Sequence, residues 1–215
     1  MLQKNKAITF GGSWVFPGGR LEDSDFDTSL NCEYASEASA VVRECVEETG
    51  LEINPAFLIP LSCWITPVIR PKRFKTIFFI YDATRLSDKV KIDQGEIVDW
   101  RWMPIESAVK QHQAKELVLS GPAFVTLSEF AAYGSLEELL DAVKPSPLKP
   151  FAPRVQLSNS GAICLYHGDE CYDMLDDHQT SDDPAMLEKI ENCSQKHRLY
   201  MDKLTAWKYV HNLPD

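Results

Sequence analysis

The longest helical pattern in the chain runs over residues 36–49. Small or apolar side chains recur there at the spacing of one helix face, at Ala38, Val42, Cys45, Val46 and Thr49. Gly50 follows directly, and glycine is the residue that most readily adopts the left-handed conformation that ends helices. The pattern predicts an amphipathic helix that buries this face against a core and stops at Gly50.

Runs rich in β-branched and aromatic residues predict the strands of the first two thirds of the chain. These runs cover residues 1–6 (the end of a strand), 14–16, 57–64, 74–82, 89–92 and 96–103. Helical patterns follow over residues 104–113, 122–133 and 135–143. At 215 residues the chain allows one domain with an extension, or two small domains.

Four prolines within residues 144–153 indicate an extended linker. Further strands are predicted beyond it, over residues 162–167, 170–174, 198–201 and 206–211. We therefore interpret residues 154–215 as a β-rich extension that packs on the main domain or on a second subunit, which would make the protein a homodimer.

Composition restricts the classes of function. The 215 residues carry a net charge of −10, which argues against binding to nucleic acid polymers, because such binding depends on basic residues. No apolar run is long enough for a transmembrane helix, and the N-terminus has no apolar signal core. The six cysteines form no C-x-x-C pair, so we expect reduced thiols in a cytoplasmic protein.

The helix over residues 36–49 also carries a cluster of acidic residues. Glu44, Glu47 and Glu48 lie at i, i+3 and i+4, so they share one side of the helix and should point away from the core. Like charges at this spacing cost roughly 0.2–0.5 kcal/mol per pair, and a hard divalent cation would remove the repulsion. The alternative is a solvated acidic face on which Arg43 pairs with Glu47.

A second motif lies upstream, where a short strand over residues 14–16 ends in the double glycine Gly18-Gly19. Together with residues 43–51, Arg-Glu-Cys-Val-Glu-Glu-Thr-Gly-Leu, it resembles the motif of the Nudix hydrolases. That motif runs Gly, five residues, Glu, seven residues, then Arg-Glu-hydrophobic-any-Glu-Glu-any-Gly-hydrophobic. Its second half matches here at every fixed position, with Cys45 in the hydrophobic slot. About ten residues are inserted in its first half, and Ala35 occupies the glutamate slot when counted back from Arg43.

The resemblance covers residues 1–143 and implies a domain of the α+β class, an α/β/α sandwich with a mixed sheet. A further strand before Met1, in the middle of that sheet, is implied as well. It also implies Mg²⁺ or Mn²⁺ as the cofactor, held by Glu44, Glu47, Glu48 and the Gly19 carbonyl. Arg43 would orient the glutamates, and any one of the three could serve as the base. Glu96, just before a tryptophan-containing strand, matches a family glutamate that contacts the metal or activates water. A polar residue at a strand end is the alternative.

Two further segments have both a structural and a functional interpretation. The acidic insert at residues 20–34 is either a solvated loop or a lid that could add a metal ligand. Between the strands at 57–64 and 74–82, four basic side chains lie within six residues, at Arg70, Lys72, Arg73 and Lys75. They either protect an edge hairpin or bind substrate phosphates, with Arg73 as a bidentate ligand.

The segment over residues 64–76 is similar to the Nudix branch of the peroxisomal coenzyme A diphosphatase and its bacterial relatives. The implied reaction is hydrolysis of a diphosphate bond in a small molecule, with coenzyme A or acyl-CoA as the candidate substrate. ADP-ribose or a nucleotide sugar is an alternative substrate, and a non-catalytic binding module of the same fold is an alternative function.

Overall fold

The computed structural model describes residues 1–8, 11–26, 29–86, 89–143, 148 and 150–213. Contacts divide the chain into two units, which we describe separately. The first comprises Met1–Leu61 and Ile77–Pro147, and the second comprises Ser62–Thr76 and Leu148–Asp215. The basic segment predicted between two strands therefore falls in the second unit.

The strands of the described residues are β1 (Leu2–Lys4), β2 (Ser13–Val15), β3 (Ile59–Ile65), β4 (Lys75–Ile80), β5 (Ile97–Trp100), β6 (Val118–Leu119), β7 (Pro150–Phe151), β8 (Arg154–Leu157), β9 (Gly161–Leu165), β10 (His178–Thr180), β11 (His197–Asp202) and β12 (Lys208–His211). The helices are α1 (Asp23–Phe26), α2 (Ala35–Thr49), α3 (Ile105–Gln113), α4 (Gly121–Phe130), α5 (Leu136–Ala142) and α6 (Pro184–Glu191). All four predicted helices are therefore confirmed to within three residues at each end, whereas α1 and α6 were not predicted.

A four-stranded sheet in the order β5-β1-β2-β6 forms the framework of the first unit. Strand β1 pairs antiparallel with both β2 and β5, and β2 pairs parallel with β6. Leu2–Lys4 thus occupies an interior position in the sheet. Next to β1, the Met1 ammonium donates a hydrogen bond of 2.8 Å to the Arg101 carbonyl, just beyond β5. The mixed sheet expected from the sequence is confirmed.

Helices complete the core of the first unit. α1 packs on α2, and α3 packs on α4. The completely buried side chains Ile97 of β5 and Val125 of α4 belong to this core, together with Phe124 and Leu119. The combination of a mixed sheet and packed helices confirms the predicted α+β class. No helix that the structure describes is long and apolar enough to cross a lipid bilayer.

The second unit is built on a five-stranded sheet in the order β10-β8-β9-β11-β12. Its strands are antiparallel except for the parallel pair β8 and β10. Strands β4, β3 and β7 form a three-stranded sheet. Trp64 of β3 belongs to the second unit and is buried, and its ring stacks on Phe151 at 4.3 Å between centroids. Pro150–Phe151 pairs with β3, so part of the predicted 144–153 linker is a strand, whereas residues 144–147 and 149 lie outside the described residues.

Some predictions for the C-terminal residues were wrong. Residues 170–174 form a turn rather than a strand, because an Asp169 carboxylate oxygen accepts the Cys171 amide and bends the chain. Helix α6 was not predicted, although Asp183 caps it and accepts the Ala185 amide at 3.1 Å. No strand is formed by residues 89–92.

The expectation of six reduced thiols was also wrong. A disulfide joins Cys171 to Cys193, and its sulfurs lie in an apolar cluster with Leu165, Leu175 and Ile190. The two cysteines are 22 residues apart in sequence. Their spacing resembles no short motif, so only the fold brings them together. The other four cysteines are free.

Candidate active site

Helix α2 forms the wall on which the acidic residues lie. It ends at Gly50, which has a φ of 67° and donates its amide to the Val46 carbonyl at 2.8 Å, as predicted for a glycine cap. Ala38, Cys45 and Thr49 are buried, but Val46 is 42% exposed. The predicted buried face is therefore confirmed at these three residues, whereas Val42 is only half-buried and Val46 is exposed. The covered side of the helix is shifted toward Glu48.

Glu48 does not point away from the protein, contrary to the sequence prediction. It is only 5% exposed, and its Oε2 accepts a hydrogen bond of 2.9 Å from the Gly18 amide. The cause is the double-glycine turn after β2, which lies over this side of α2 and encloses the carboxylate. The prediction omitted this cover because the turn is thirty residues away in sequence.

The same turn encloses Glu44. A side chain at Gly19 would collide with the Glu44 carboxylate, since an added Cβ would fall within bonding distance of its Oε1. Glycine is the residue that permits so close an approach between backbone and carboxylate. Gly18 and Gly19 therefore fix the positions of the two carboxylates, one by a hydrogen bond and the other by contact.

Burial without a full set of partners raises the proton affinity of both carboxylates. Desolvation raises the pKa of Glu44, although Arg43 opposes the change, and raises the pKa of Glu48 to about 7, although the Gly18 amide and Lys4 oppose it. The negative charge of Glu96 contributes in the same direction to both. The three carboxylates thus form one electrostatic cluster.

Glu96 lies directly before β5, the strand that pairs with β1. Lys4 pairs with Ile97 across the two strands, and its Nζ lies 2.6 Å from Glu96 Oε1. The turn before β5 is shaped by Asp93, whose carboxylate accepts the amides of Gly95, Glu96 and Ile97. The charge of Glu96 therefore acts on Glu44 and Glu48, and Lys4 is its ion-pair partner. The role of Glu96 as a metal ligand stays a prediction.

Arg43 is held by a residue that was not predicted. Asp25 accepts hydrogen bonds from Arg43 Nε at 3.2 Å and from Nη2 at 3.0 Å. Arg43 Nη1 donates to Glu44 at 3.1 Å and to Glu47 at 3.0 Å. The pKa of Asp25 is lowered, mainly by these hydrogen bonds from Arg43. The guanidinium is thus fixed on one side and orients two glutamates on the other.

A signal for Asp25 was present in the sequence. The family motif places its first acidic residue six positions after the glycine, and Asp25 is six positions after Gly19. Counting back from Arg43 instead led to Ala35 and hid the match. The inserted residues therefore follow Asp25. Neither interpretation of the 20–34 segment anticipated it, because Asp25 is 2% exposed and binds an arginine.

Glu47 is the one glutamate of α2 that lies in solvent, with 56% of its side chain exposed. Glu44, Glu48 and Glu96, with Glu47 beside them, present carboxylate oxygens, the ligands that Mg²⁺ and Mn²⁺ take in proteins. Burial of like charges in one cluster, with a raised pKa at two of them, is what a bound divalent cation would relieve. The residues present therefore fit such a cation.

The four predicted substrate-binding residues belong to the second unit and are all exposed. Arg73 Nε donates to the Thr66 carbonyl at 3.1 Å, which braces the turn between β3 and β4. Arg70, Lys72 and Lys75 form no ion pair with any described residue. Their role in binding phosphates stays a prediction, and the Arg73 contact favours a structural role for that side chain.

Comparison with known proteins agrees with this α+β fold. A family profile of the NUDIX domain matches residues 1–120, more than half of the chain. The chain therefore belongs to the NUDIX domain family, and membership supports diphosphate hydrolysis in general.

A solved structure is similar in fold. The crystal structure of a NUDIX hydrolase from Alicyclobacillus acidocaldarius matches with a TM-score of 0.58 and 19% sequence identity. The match covers 68% of this chain and 88% of that chain. At this identity the likeness concerns the fold, which agrees with the α+β class.

Proposed function

We propose that the protein hydrolyses the diphosphate bond of a nucleoside diphosphate linked to another group, with Mg²⁺ or Mn²⁺ as cofactor and coenzyme A or an acyl-CoA as substrate. The observation that carries the hydrolase proposal is the enclosure of Glu44 and Glu48 by the Gly18-Gly19 turn. The buried carboxylate of Glu48 and the partly buried carboxylate of Glu44 are costly for a fold unless they serve a ligand or a reaction.

Glu44, Glu47, Glu48 and Glu96 would hold the cation, together with the Gly19 carbonyl. When bound, the cation supplies positive charge to the phosphate oxygens and lowers the pKa of the attacking water. The Gly18 amide occupies Glu48 Oε2, which leaves Oε1 as the atom offered to the site. An arrangement fixed in advance in this way needs little rearrangement during the reaction.

Arg43 would act by positioning rather than by touching the substrate. Its Nη1 donates to both Glu44 and Glu47, and its other nitrogens are fixed by Asp25 and the Arg20 carbonyl. A guanidinium held by this many acceptors cannot turn away without losing several charge-assisted hydrogen bonds. The acidic side chains of α2 are therefore held in their orientation by the chain itself.

The coenzyme A proposal rests on the segment over residues 64–76. Coenzyme A carries a 3′-phosphate in addition to its diphosphate, so its site should contain more positive charge than an ADP-ribose site. Arg70, Lys72 and Lys75 are exposed, and none forms an ion pair within the described part of a chain whose net charge is −10. Such residues are available to bind phosphates.

The test compares kcat/KM for coenzyme A and dephospho-coenzyme A with Mg²⁺ and with Mn²⁺. We expect cleavage of coenzyme A to 4′-phosphopantetheine and adenosine 3′,5′-bisphosphate. Loss of one charge-assisted contact, about 1.5–3 kcal/mol, should make dephospho-coenzyme A roughly ten- to a hundredfold poorer. Equal values, or a preference for ADP-ribose or a nucleotide sugar, would exclude coenzyme A as the substrate. The proposal of a diphosphohydrolase would still hold.

A non-catalytic binding module of the same fold is the rival function. A module that only binds a ligand has no need of the acidic cluster, so the enclosed glutamates favour the enzyme. Binding of these compounds without any turnover in the presence of either cation would reverse that conclusion.

A further inference from the structure

One face of the five-stranded sheet in the second unit lies open over a cavity. Val155 of β8 pairs with Cys164 of β9, and Leu157 pairs with Ala162, which also pairs with Met201 of β11. Directly paired residues of neighbouring strands project to the same side of a sheet. These five side chains therefore form a continuous apolar floor, and all five line the cavity.

The opposite face of the same sheet is already occupied. Leu165 of β9 packs there with Leu175, Ile190 and the Cys171–Cys193 disulfide. Alternation along the strands separates the two faces, since neighbouring residues in a strand project to opposite sides. The open floor is therefore distinct from the core of this unit.

The other side of the cavity is formed by the turn between β3 and β4. Pro67, Ile69, Arg70 and Pro71 line it, and the Arg70 amide donates to the Pro67 carbonyl at 3.0 Å. The cavity is open to solvent on one side, and its volume is about 290 Å³. This is close to the lower end of the range for small-molecule sites, about 300–1,000 Å³.

Arg70 is the charged residue of this lining. It forms no ion pair with any residue in the described ranges. Its positive charge opposes the rise that burial causes in the pKa of the Cys164 thiol, which lines the same cavity. A guanidinium beside an apolar surface matches a ligand with an apolar body and an anionic end.

Cys164 belongs to the floor rather than to a reactive centre. It is 5% exposed, and burial raises the pKa of its thiol to about 12. A thiol in this state carries almost no thiolate at neutral pH and behaves as a small apolar side chain. Cys164 is therefore not a nucleophile, and the cavity has the chemistry of a binding site.

We propose that the cavity binds an amphipathic anion, with an apolar chain on the floor formed by Val155, Leu157, Ala162, Cys164 and Met201 and a carboxylate or phosphate head on Arg70. The apolar floor matches the apolar chain of such a ligand, and Arg70 matches its anionic head. This site is independent of the acidic residues of the first unit, and its test involves no hydrolysis.

The experiment titrates the full chain with decanoate, decyl phosphate and decanol and follows binding by calorimetry. We expect saturable binding of decanoate or decyl phosphate at one site, and the tighter of the two identifies the head group. Decanol should bind about tenfold more weakly or worse, because it lacks the charge-assisted contact with Arg70.

Two variants locate the site, and one serves as the matched control. Arg70→Gln should weaken the anions about tenfold and leave decanol within about twofold. Ala162→Phe should weaken all three ligands, because its ring would occupy the floor. Lys72→Gln removes a neighbouring charge that does not line the cavity, so it should bind the anions like the parent protein.

The proposal would be overturned by an absence of saturable binding. Equal losses of anion binding in Arg70→Gln and Lys72→Gln would also overturn it, because that result would indicate general attraction to the basic segment. If Ala162→Phe does not fold, as circular dichroism would show, the head-group comparison in Arg70→Gln still decides the question, since that substitution is on the surface.

Discussion

Asp25 and Arg43 form a bidentate ion pair across eighteen residues of sequence, with hydrogen bonds of 3.2 Å from Nε and 3.0 Å from Nη2. Asp25 is almost completely buried, whereas Arg43 extends from it toward Glu44 and Glu47. The pair therefore connects the inserted segment to the acidic face of α2, and the orientation of the glutamates depends on a residue outside that helix.

Substitution of Asp25 by Asn should both destabilise the protein and lower its kcat. An amide keeps the shape but offers one acceptor where the carboxylate offers two, which removes a charge-assisted contact of about 1.5–3 kcal/mol. Urea denaturation should show that loss, and kcat should fall because Arg43 no longer holds Glu44 in place. Asp23→Asn, an exposed neighbour on α1, is the control and should resemble the parent. Parental stability in Asp25→Asn would contradict the structural role.

Glu47→Gln should reduce turnover by at least roughly two orders of magnitude, because it removes an anionic ligand from a charge-stabilised transition state. Its fold should persist, since Glu47 is exposed and its ion pair with Arg43 contributes at most about 1 kcal/mol. The melting temperature of the metal-free protein should stay close to that of the parent, because the lost ion pair with Arg43 and the relieved repulsion from Glu44 have opposite and similarly small effects. The assignment of Glu47 to the metal site fails if variant and parent turn over equally fast.

The pH dependence of stability should be dominated at neutral pH by Glu48. Its pKa rises from 4.5 to about 7 on folding, so its contribution to stability is fully present below about pH 4.5 and is lost as the pH rises through about 7. That rise corresponds to about 3 kcal/mol. Metal-free Glu48→Gln should therefore be more stable than the parent at pH 8, by up to this amount.

The same comparison at pH 4.5 is the internal control. There the parent Glu48 is protonated in the folded protein, so the advantage of Glu48→Gln should disappear. Thermal melting of the two proteins at both pH values in the presence of a chelator measures this difference. A gain of equal size at both pH values would show that the effect does not come from the charge.

Arg73→Lys distinguishes the two interpretations of the basic segment. If Arg73 binds a substrate phosphate, lysine cannot reproduce the planar two-pronged contact and kcat/KM should fall. If it only braces the turn through the Thr66 carbonyl, kcat/KM should match the parent at every salt concentration. The observed contact leads us to expect the second result for Arg73, with Lys72→Gln as the substitution that weakens substrate binding.

Reduction of the Cys171–Cys193 disulfide should destabilise the second unit. The bond closes a loop of 22 residues, for which chain entropy gives about 3 kcal/mol. Dithiothreitol should lower the melting temperature of the parent and of Cys32→Ser, in which an exposed free thiol is removed. The double variant Cys171→Ser/Cys193→Ser should already melt lower and should not respond to the reductant.

The sequence predicted the parts of the site that depend on local spacing. Helix α2, its glycine end and the three glutamates follow from residues within one or two turns of each other. The burial of Glu48 could not be predicted in this way, because the covering turn at Gly18 is contributed by a distant strand. The same holds for the disulfide, which depends on how α6 packs against its own sheet.

Other parts were within reach of the sequence and were missed. Asp25 would have been found by counting forward from Gly19, since a lengthened motif can be read from either end. Helix α6 carries a normal start signal, Asp183 followed by a proline, which was overlooked in an acidic stretch. Residues 170–174 were mistaken for a strand because they follow Gly168-Asp169, which was interpreted as the turn of a hairpin.

The extra residues of the lengthened motif lie between two residues that bind each other, Asp25 and Arg43. The ion pair closes this stretch of chain, so its length has little influence on the carboxylates beyond it. Doubling a closed loop costs only about 0.6 kcal/mol. Residues 31–33, which are exposed in this stretch, are therefore a suitable insertion point for an epitope or reporter peptide.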